Sequence, residues 1–558
     1  MTSPVRALAD RTAERILASN PLLGTFLGLR EYDAFVPDES VAAERQLLAD
    51  VAEFEAEAEA LQTDDPADRI TLSVIRSCCT EIREQIATLA ATYTVSAMPL
   101  SGPPGLFGLA ARTILPDEQA AADYLDRLRA APGWFATTCD RLREGRADGR
   151  LPVESLVAGA IAWAERVLAT PLPPALVAPT APADWDGAER WRADLESVIQ
   201  DEVMPAITEW HDLLVELRPD SRPDTEAGVA ALPGGEDIYA RWIAVHTTLP
   251  LQADDLHRIG QESVASLEAR ALELGVELGL STLPEVIRAV RQSAEAVTAT
   301  DAMAAARAAI ARAEARASQI MPPPLPAPCA VEAMPPTVAE SGMAPHYTPP
   351  RADTGRPGTF WFNTERATAG AGWDLEAVAF HEAVPGHHSQ LARIQQLENL
   401  PLLQQFPVTV HAEGWGLYAE RLAGEFGLYS DAHAKLGAVY VELFRAARLV
   451  VDTGLHALGW SRQQARAYMV EHVALPEQFL HDEVDRYIAW PGQALAYMTG
   501  QREILRLRAH ATAELGDRFD LPSFHSVLLD SGSLPLPVLQ VAVDDWITRT
   551  RNGSDRTK

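Results

Sequence analysis

The chain has 558 residues, with 47 Lys and Arg against 78 Asp and Glu, and a formal net charge of −31. Hydrophobic residues make up 47% and charged residues 22%, which is ordinary for a globular protein in water. No basic run is present to neutralise phosphates, so the composition argues against a nucleic-acid partner.

The chain ends and the cysteines indicate the expected compartment. The first twenty residues carry charges throughout, so we expect no secretory signal. No stretch approaches the ~18 to 20 apolar residues of a membrane span, so no membrane partner is expected. Cys78, Cys79, Cys139 and Cys329 lack metal-site spacing and are expected to be reduced thiols of a cytoplasmic protein.

The pattern along the chain predicts three parts. Residues 1–320 form an N-terminal helical half, in which segments such as 118–145 repeat apolar residues every three or four positions. Residues 321–372 are a Pro-rich connector with short strands, because proline interrupts helices and "GTFWFNTE" (358–365) alternates like a strand. Residues 373–558 are a second helical half. One intimately packed unit is the alternative.

The segment "HEAVPGHH" (381–388) departs from the metalloprotease pattern H-E-x-x-H. On a straight helix neither His387 nor His388 could share a zinc ion with His381. Pro385 interrupts the helix, and Gly386 could supply the positive φ of a local loop. A two-residue bulge would then return His387 to the position of the second ligand, and leave His388 behind the ligands or in a cleft wall. The alternative is a polar helix end with two stray histidines.

The segment "HAEGWGLYAE" (411–420) offers a third metal ligand. Glu413 is expected on a new helix, with Glu420 on the same face. Gly414 and Gly416 would let this helix approach its neighbour closely. A surface helix with solvated acids is the alternative, and His411 is the residue to consider as a different ligand.

Two further helical segments place polar residues on single faces. In 444–460 the stripe comprises Arg445, Arg448, Asp452 and His456, for which a solvated face and a water-filled cleft are equal alternatives. In 481–500 the polar residues are Glu483, Arg486 and Tyr487, followed by Gln493 and Tyr497 after a Pro-Gly break. A Tyr or His could donate to an oxyanion and an Arg could bind a carboxylate, although packing or pairing is the commoner role.

Together these segments resemble the bacterial family known as domain of unknown function 885. Its motif H-E-x-x-P-G-H is matched by His381, Glu382, Pro385, Gly386 and His387. The resemblance continues in "EGWGLYAE", "DTGLH", "EVDRY" and "PGQALAY", and more loosely in the N-terminal half. Gly416 stands where alanine is commoner, a minor departure.

The resemblance implies a zinc peptidase group distantly similar to the helical oligopeptidases and carboxypeptidases. The implied fold is mainly α and zincin-like, with a deep cleft between two helical halves and a small β-sheet at its edge. In such enzymes a short strand binds the substrate backbone, a part that "GTFWFNTE" with Phe360 and Asn363 would play.

The site hypothesis follows from these residues. One zinc ion would be held by His381, His387 and Glu413, with manganese or cobalt as other metals. Glu382 would be the general base. The oxyanion would be stabilised by Tyr487 as first choice, or by Tyr497 or His456. Arg486 or Arg448 would bind the C-terminal carboxylate of a peptide.

The expected activity is therefore hydrolysis of short peptides, and a homodimer is an open alternative. One rival is a metal-dependent hydrolase of a non-peptide amide or ester. Another is a non-catalytic binding protein on the same fold. The presence of Glu382 weighs against the second rival, because a site without chemistry has no use for that base.

Overall fold

The computed structural model describes residues 3–98, 102–110, 113–292, 298–334, 339, 344–350, 356–365 and 373–553. These residues form a mainly helical protein with one small sheet. Within the predicted connector, residues 335–338, 340–343, 351–355 and 366–372 lie outside the described part.

Helices occupy most of the N-terminal part of the chain, up to residue 320. They are α1 (Pro4–Ser19), α2 (Pro21–Phe26), α3 (Val41–Ala60), α4 (Pro66–Ala87), α5 (Gly105–Ala110), α6 (Glu118–Ala147), α7 (Glu154–Leu168), α8 (Pro174–Val177), α9 (Ala188–Val198), α10 (Met204–Leu217), α11 (Gly235–Thr247), α12 (Ala253–Glu277), α13 (Leu283–Gln292), α14 (Ala299–Glu314) and α15 (Ala317–Ile320).

Helices resume after the sheet. They are α16 (Leu375–Glu382), α17 (His387–Gln396), α18 (Thr409–Glu425), α19 (Ala432–His456), α20 (Arg462–His472), α21 (Glu477–Ala489), α22 (Ala496–Leu515), α23 (Leu521–Leu529) and α24 (Leu536–Arg551). Short 3₁₀ segments connect several of them: Arg30–Tyr32, Ala90–Thr92, Arg218–Asp220, Asp224–Glu226, Val229–Ala231, Leu402–Gln405, Gln493–Leu495 and Gly516–Arg518. A π-helical turn, Ile199–Val203, joins α9 to α10.

The apolar periodicity of the sequence determines which helix faces are buried. In α6, for example, Leu125, Leu128, Phe135 and Leu142 are all buried, at spacings of three and seven. The helix predicted from residue 118 onward is therefore confirmed, and it continues through Pro132.

The buried apolar residues form three clusters, two of which cross the predicted halves. One cluster lies within residues 95–217. A second joins α1, α3 and α4 to α18, α22, α23 and α24. The third joins α11, α12 and α14 to the sheet, α16, α19 and α21. Because the second and third clusters draw on both ends of the chain, positions 320 and 372 do not separate independent cores.

Three short strands form a mixed sheet in the order β1–β3–β2. The strands are β1 (Ala330–Ala333), β2 (His346–Thr348) and β3 (Thr359–Phe362). β1 runs parallel to β3, and β2 pairs with β3 antiparallel, with Tyr347 opposite Phe360. The strand predicted within 358–365 is confirmed, but it lies in the centre of the sheet, so both of its edges are already hydrogen-bonded.

Candidate metal centre

The helix that carries the first histidine stops abruptly. The last helical hydrogen bond of α16 runs from Ala383 N to Ala379 O, at 2.9 Å. Ala383 then leaves the helical region with φ −104° and ψ −113°, the Val384–Pro385 peptide bond is cis, and α17 begins at His387. The predicted bulge within one helix is therefore wrong in form, because the chain makes a complete break between two helices.

Gly386 is needed at this break for space. Its φ is −77°, so the positive φ expected from the sequence is not used. A Cβ at this position would lie 1.9 Å from the carbonyl oxygen of His381 and 2.4 Å from that of Phe380. The indole nitrogen of Trp415 donates to the carbonyl oxygens of Pro385 and Gly386, at 3.0 and 3.1 Å. Trp415 on α18 thus fixes the break against the helix that carries Glu413.

The break brings the two predicted histidines together with Glu413. The rings of His381 and His387 lie 4.7 Å apart, centroid to centroid, and nearly perpendicular. Glu413 Oε2 is 3.3 Å from His381 Nε2 and 3.8 Å from His387 Nε2. Within residues 381–390 all side chains are buried except those of Glu382 and His387. The predicted base Glu382 and the predicted ligand His387 are therefore partly accessible, whereas the predicted ligand His381 is buried.

Glu420 supports the site from behind, a role that the sequence analysis did not assign. Its Oε1 lies 2.7 Å from His381 Nδ1, and both side chains are buried. A carboxylate on the second nitrogen of a metal-binding histidine fixes the ring and its tautomer. Although burial disfavours the charged imidazole, hydrogen bonds that its ring nitrogens donate to Glu413 and Glu420 raise the pKa of His381 to about 10. The signal in the sequence was the spacing of seven residues between Glu413 and Glu420.

Close packing of α18 on α16 depends on glycine, as predicted. A Cβ on Gly416 would lie 2.6 Å from Cε1 of the His381 ring. A Cβ on Gly414 would lie 2.5 Å from the Cα of Gly500 in α22. The two glycines therefore let α18 contact the histidine on one side and a neighbouring helix on the other.

Glu382 lies beside the two histidines. One of its carboxylate oxygens lies within 4.8 Å of a ring nitrogen of His381 and of His387. Burial raises the pKa of Glu382, while the two imidazoles and a hydrogen bond from the Tyr347 backbone N–H oppose that shift. Tyr347 belongs to β2, so the outer edge of the sheet is next to this carboxylate.

The donor set fits a divalent transition metal. Ligand atoms at ~2.0 to 2.1 Å from a tetrahedral zinc ion are separated by roughly 3.3 to 3.4 Å. The separations of 3.3 and 3.8 Å between Glu413 and the two histidines are close to that value. Two buried atoms around the cluster, His387 Nδ1 and Glu420 Oε2, have no hydrogen-bond partner among the described residues. His381, His387 and Glu413 are therefore the residues that could hold a metal ion, with Glu382 alongside.

The other nearby histidines are engaged elsewhere. Both ring nitrogens of His388 have partners, the Tyr347 hydroxyl at 3.0 Å and the Ala327 carbonyl oxygen at 2.7 Å. His411 Nδ1 accepts from Leu534 N at 2.9 Å, and burial lowers the pKa of His411 to about 4. His388 therefore lies behind the ligands.

The C-terminal part of the polar stripe on α19, Asp452 and His456, is buried against other parts of the protein. It is therefore neither a solvated face nor the wall of a cleft. Asp452 accepts from the Tyr239 hydroxyl at 2.6 Å and from Gly492 N at 3.1 Å. His456 Nδ1 accepts from Val229 N at 3.1 Å, which places its proton on Nε2, 3.0 Å from the Tyr487 carbonyl oxygen. No ring nitrogen of His456 is left for an oxyanion in this arrangement.

The remaining predicted residues divide into buried and accessible ones. The Tyr487 hydroxyl donates to Glu483 Oε2 at 2.8 Å and accepts from Arg448 Nε at 3.0 Å, inside the protein. Arg486 binds the same carboxylate at 2.9 and 3.0 Å and donates to Gln493 Oε1 at 2.6 Å. Tyr497, in contrast, is only partly buried.

The strand residues are placed differently from the prediction. Phe360 is fully buried, and Asn363 is buried with its Nδ2 donating to the Ala339 carbonyl oxygen at 3.1 Å. Because β3 is the central strand, its backbone cannot add a further strand. Among the described strands, β2 lies at the edge of the sheet beside Glu382, and it was not identified from the sequence.

The fold is that of two solved structures over nearly its full length. The structure of "the putative lipoprotein from Colwellia psychrerythraea" matches with a TM-score of 0.88 and 26% identity, over 98% of this chain and 99% of that chain. A "putative lipoprotein of unknown function" from Shewanella oneidensis matches in fold with a TM-score of 0.74 and 17% identity, over 97% and 99% of the two chains. No curated protein matches the sequence.

Fold and site thus define a class of protein. Its members are large and mainly helical, with a His/Glu cluster at a break between two helices that carries the motif H-E-x-x-P-G-H. The family model for the bacterial protein of unknown function DUF885 matches residues 21–543. The chain belongs to this family, which confirms the resemblance seen in its motifs. In the described part of the chain, no helix has both the length and the apolar composition to cross a membrane.

Proposed function

We propose that this protein is a zinc-dependent peptidase with a zincin-like fold, which hydrolyses short peptides in a cleft between its helical halves. The observation that carries the proposal is the position of Glu413 Oε2, within 3.3 and 3.8 Å of the nitrogens of two histidines from separate helices. A carboxylate and two imidazoles that converge on one point, with a further carboxylate behind His381, are the ligand set of a catalytic zinc site.

The chemistry divides among named residues. A zinc ion held by His381, His387 and Glu413 would supply Lewis acidity, which makes water a better nucleophile and polarises a carbonyl group. Glu382 accepts the proton of the attacking water and delivers it to the leaving amine. Desolvation raises the pKa of Glu382 above its ordinary value, the direction that favours proton uptake by a general base.

The substrate would be held by the sheet and by groups on α19 and α22. An extended peptide can add to the open edge of β2, whose Tyr347 N–H already faces Glu382. Tyr497 is the better candidate for the oxyanion donor, because the hydroxyl of Tyr487 is committed to Glu483 and Arg448.

Two rival functions use the same residues. A non-peptide amide or ester would be hydrolysed by the same arrangement of Glu382 and the metal ligands. A binding protein would keep the ligands but would have no need for a buried carboxylate at Glu382.

The deciding experiment is metal analysis of the purified protein, combined with turnover of a peptide library and of non-peptide amides and esters. We expect about one zinc ion per chain, loss of metal in His381→Ala and Glu413→Ala, and retained metal with lost turnover in Glu382→Gln. Arg421→Gln, at an exposed ion pair on the same helix as Glu413, is the matched control. Metal content that is unchanged in both ligand variants would refute the site. Bound metal without any peptide cleavage would favour the non-peptide rival.

The cytoplasmic location expected from the sequence stays a prediction, since the two structural relatives are described as lipoproteins. Fractionation of the native host with an antibody to the protein would decide it.

A further inference from the structure

A group of arginines near the candidate metal centre carries more positive charge than its carboxylate partner can balance. Arg445 and Arg448 lie on α19, and Arg486 and Glu483 lie on α21. Glu483 accepts from Arg448 Nη2 at 2.8 Å and from Arg486 Nε and Nη2 at 3.0 and 2.9 Å. One carboxylate is thus shared by two guanidinium groups, and Arg445 makes no ion pair among the described residues.

Arg445 and Arg448 are held against the same two aromatic rings. The guanidinium carbon of Arg448 lies 4.2 Å from the Phe444 ring centroid and 4.4 Å from that of Tyr497. The corresponding distances for Arg445 are 4.9 and 4.8 Å. Such stacking fixes the planes of both guanidinium groups while leaving their edges available for hydrogen bonds. Two like charges are therefore held side by side in a defined orientation.

Both groups have donors that the protein does not use. Arg448 is only 4% exposed, yet its Nη1 has no hydrogen-bond partner among the described residues, and neither does the buried Nε of Arg445. A buried charged donor without a partner is costly, so such donors mark a place where a ligand completes the hydrogen bonding. Two adjacent guanidinium groups with unused donors favour a ligand that carries a negative charge.

The position of this pair relates it to the metal centre. Tyr497, which stacks on both arginines, is partly exposed and lies one helical turn before Gly500 on α22. Gly500 packs against Gly414, the residue after Glu413, because a Cβ on Gly414 would lie 2.5 Å from the Gly500 Cα. The arginine pair is therefore on a helix packing that also involves the candidate metal ligand Glu413.

We propose that Arg445 and Arg448, stacked on Phe444 and Tyr497, bind the C-terminal carboxylate of the peptide substrate, so that cleavage occurs near the C-terminus. This inference rests on the proposed peptidase function. A carboxylate matches the planar fork of a guanidinium group in a bidentate manner. Arg486, offered from the sequence as an alternative reader of this carboxylate, is instead saturated by Glu483 and Gln493. It serves to position Glu483.

The test uses binding in place of turnover. Glu382→Gln holoprotein is titrated calorimetrically with trialanine, with trialanine amide, and with Ala-Glu-Ala amide, whose only carboxylate is on the side chain. We expect trialanine to bind at least ~10-fold more tightly than either amide, the range for a hydrogen-bonded charged group. Equal affinity of trialanine and its amide would overturn the inference. Equal affinity of trialanine and Ala-Glu-Ala amide would show that the site binds a side-chain carboxylate as well as a C-terminal one, and would overturn the assignment to the C-terminus.

Variants then assign the preference to its residues. Adding Arg445→Gln should abolish the preference for the free carboxylate. The variant should fold, because Arg445 makes no ion pair among the described residues whose loss would disrupt the site. Arg445→Lys keeps the positive charge but not the forked guanidinium group, so it should retain only part of the preference for the free carboxylate. If Arg445→Gln does not fold, Arg445→Lys takes its place in the test. Arg421→Gln is the control and should retain the full preference. A preference that survives both Arg445 variants would refute the assignment.

The outcome separates the two proposals. A protein that lacks metal but still prefers the free carboxylate would refute the peptidase function and keep the anion site. A protein that cleaves free and amidated peptides at equal rates would keep the peptidase function and refute the anion site.

Discussion

Two of the chain's Pro-Gly dipeptides, at 385–386 and 491–492, lie at breaks between helices of the C-terminal part, and they use glycine for different main reasons. At Pro385–Gly386 the glycine has φ −77°, and a Cβ would collide with the carbonyl oxygen of His381. At Pro491–Gly492 the glycine has φ +80°, a left-handed conformation that other residues rarely adopt. The first break needs space and the second needs a backbone angle, although the dipeptide is the same.

The surroundings of the two breaks differ in the same way. The first places the partly exposed Glu382 and His387 at the candidate metal centre. The second is closed, because Gly492 N donates to both carboxylate oxygens of the buried Asp452, at 3.1 and 3.2 Å. We infer that the first break positions the groups of the candidate site, whereas the second stabilises the fold. The following experiments test this difference.

The largest effect is expected from Gly386→Ala. Its Cβ would force the backbone of His381 or His387 to move, and disturbing the groups that orient metal ligands costs on the order of 10- to 100-fold in metal affinity. We therefore expect about 100-fold weaker zinc binding, measured by competition with a chelator. Gly133→Ala on α6, where a Cβ would have nothing within 4 Å, is the control and should bind zinc normally. Unchanged zinc affinity in Gly386→Ala would break the comparison.

Gly492→Ala should reduce stability and leave the metal site intact. The left-handed conformation costs an L-residue about 1 to 2 kcal/mol. The added Cβ would also lie 2.9 Å from the Trp242 carbonyl oxygen. We expect a lower melting temperature with zinc content unchanged, as measured by calorimetry and metal analysis of the same sample. A loss of zinc without a loss of stability would reverse the roles of the two breaks.

Gly416→Ala should weaken metal binding at the first break less than Gly386→Ala does. The Cβ would press on the His381 ring, which is held by Glu413 and Glu420 and has little freedom to turn. Because alanine is the commoner residue at this position in the family, we expect the ring to shift only slightly, with a loss in metal affinity of no more than ~10-fold. If alanine binds zinc as well as glycine does, the ring is less constrained than this packing implies.

The smallest effect concerns acid stability near the second break. Burial lowers the pKa of His246, which stacks on Trp242, to about 3. Between the ordinary histidine pKa of about 6.5 and that value, only the unfolded chain takes up the proton, so stability falls as the pH decreases. From pH 6.5 to 5.5 this residue should contribute a loss of about 1 kcal/mol. His246→Phe keeps the stacking and should remove that share, seen as a flatter pH dependence of the free energy of unfolding. An unaltered pH dependence would mean that His246 is protonated in the folded protein.

The parts of the candidate site that depend on neighbouring residues in the chain could be predicted. The interruption after Glu382, the aligned carboxylates of Glu413 and Glu420, and the need for glycine at 414 and 416 all follow from helix geometry. These features place the ligand set before any tertiary contact is known. That the set binds zinc remains a prediction.

The parts that depend on distant segments could not be predicted. His456 is satisfied by Val229, 227 residues away, and Asp452 by Tyr239, 213 residues away. Nothing in the local sequence of α19 distinguishes these buried polar groups from a cleft surface. The central position of β3 likewise depends on pairing with β1 and β2, so an alternating pattern alone could not show that its edges are occupied. Gly386 was predicted correctly as necessary but for the wrong reason, because a clash with a carbonyl group depends on the folded backbone.

Because the two ends of the chain share a core, the N-terminal helices cannot complete that core until the C-terminal part has been synthesised. The Thr71 hydroxyl on α4 donates to Gln404, 333 residues later, and Arg69 on the same helix pairs with Asp545 on α24. At roughly 5 to 20 residues per second, a ribosome needs on the order of 20 to 70 s to produce the first of these partners. During that interval α1, α3 and α4 can pack only on one another and on other N-terminal helices, and their shared core with α18, α22, α23 and α24 is still incomplete.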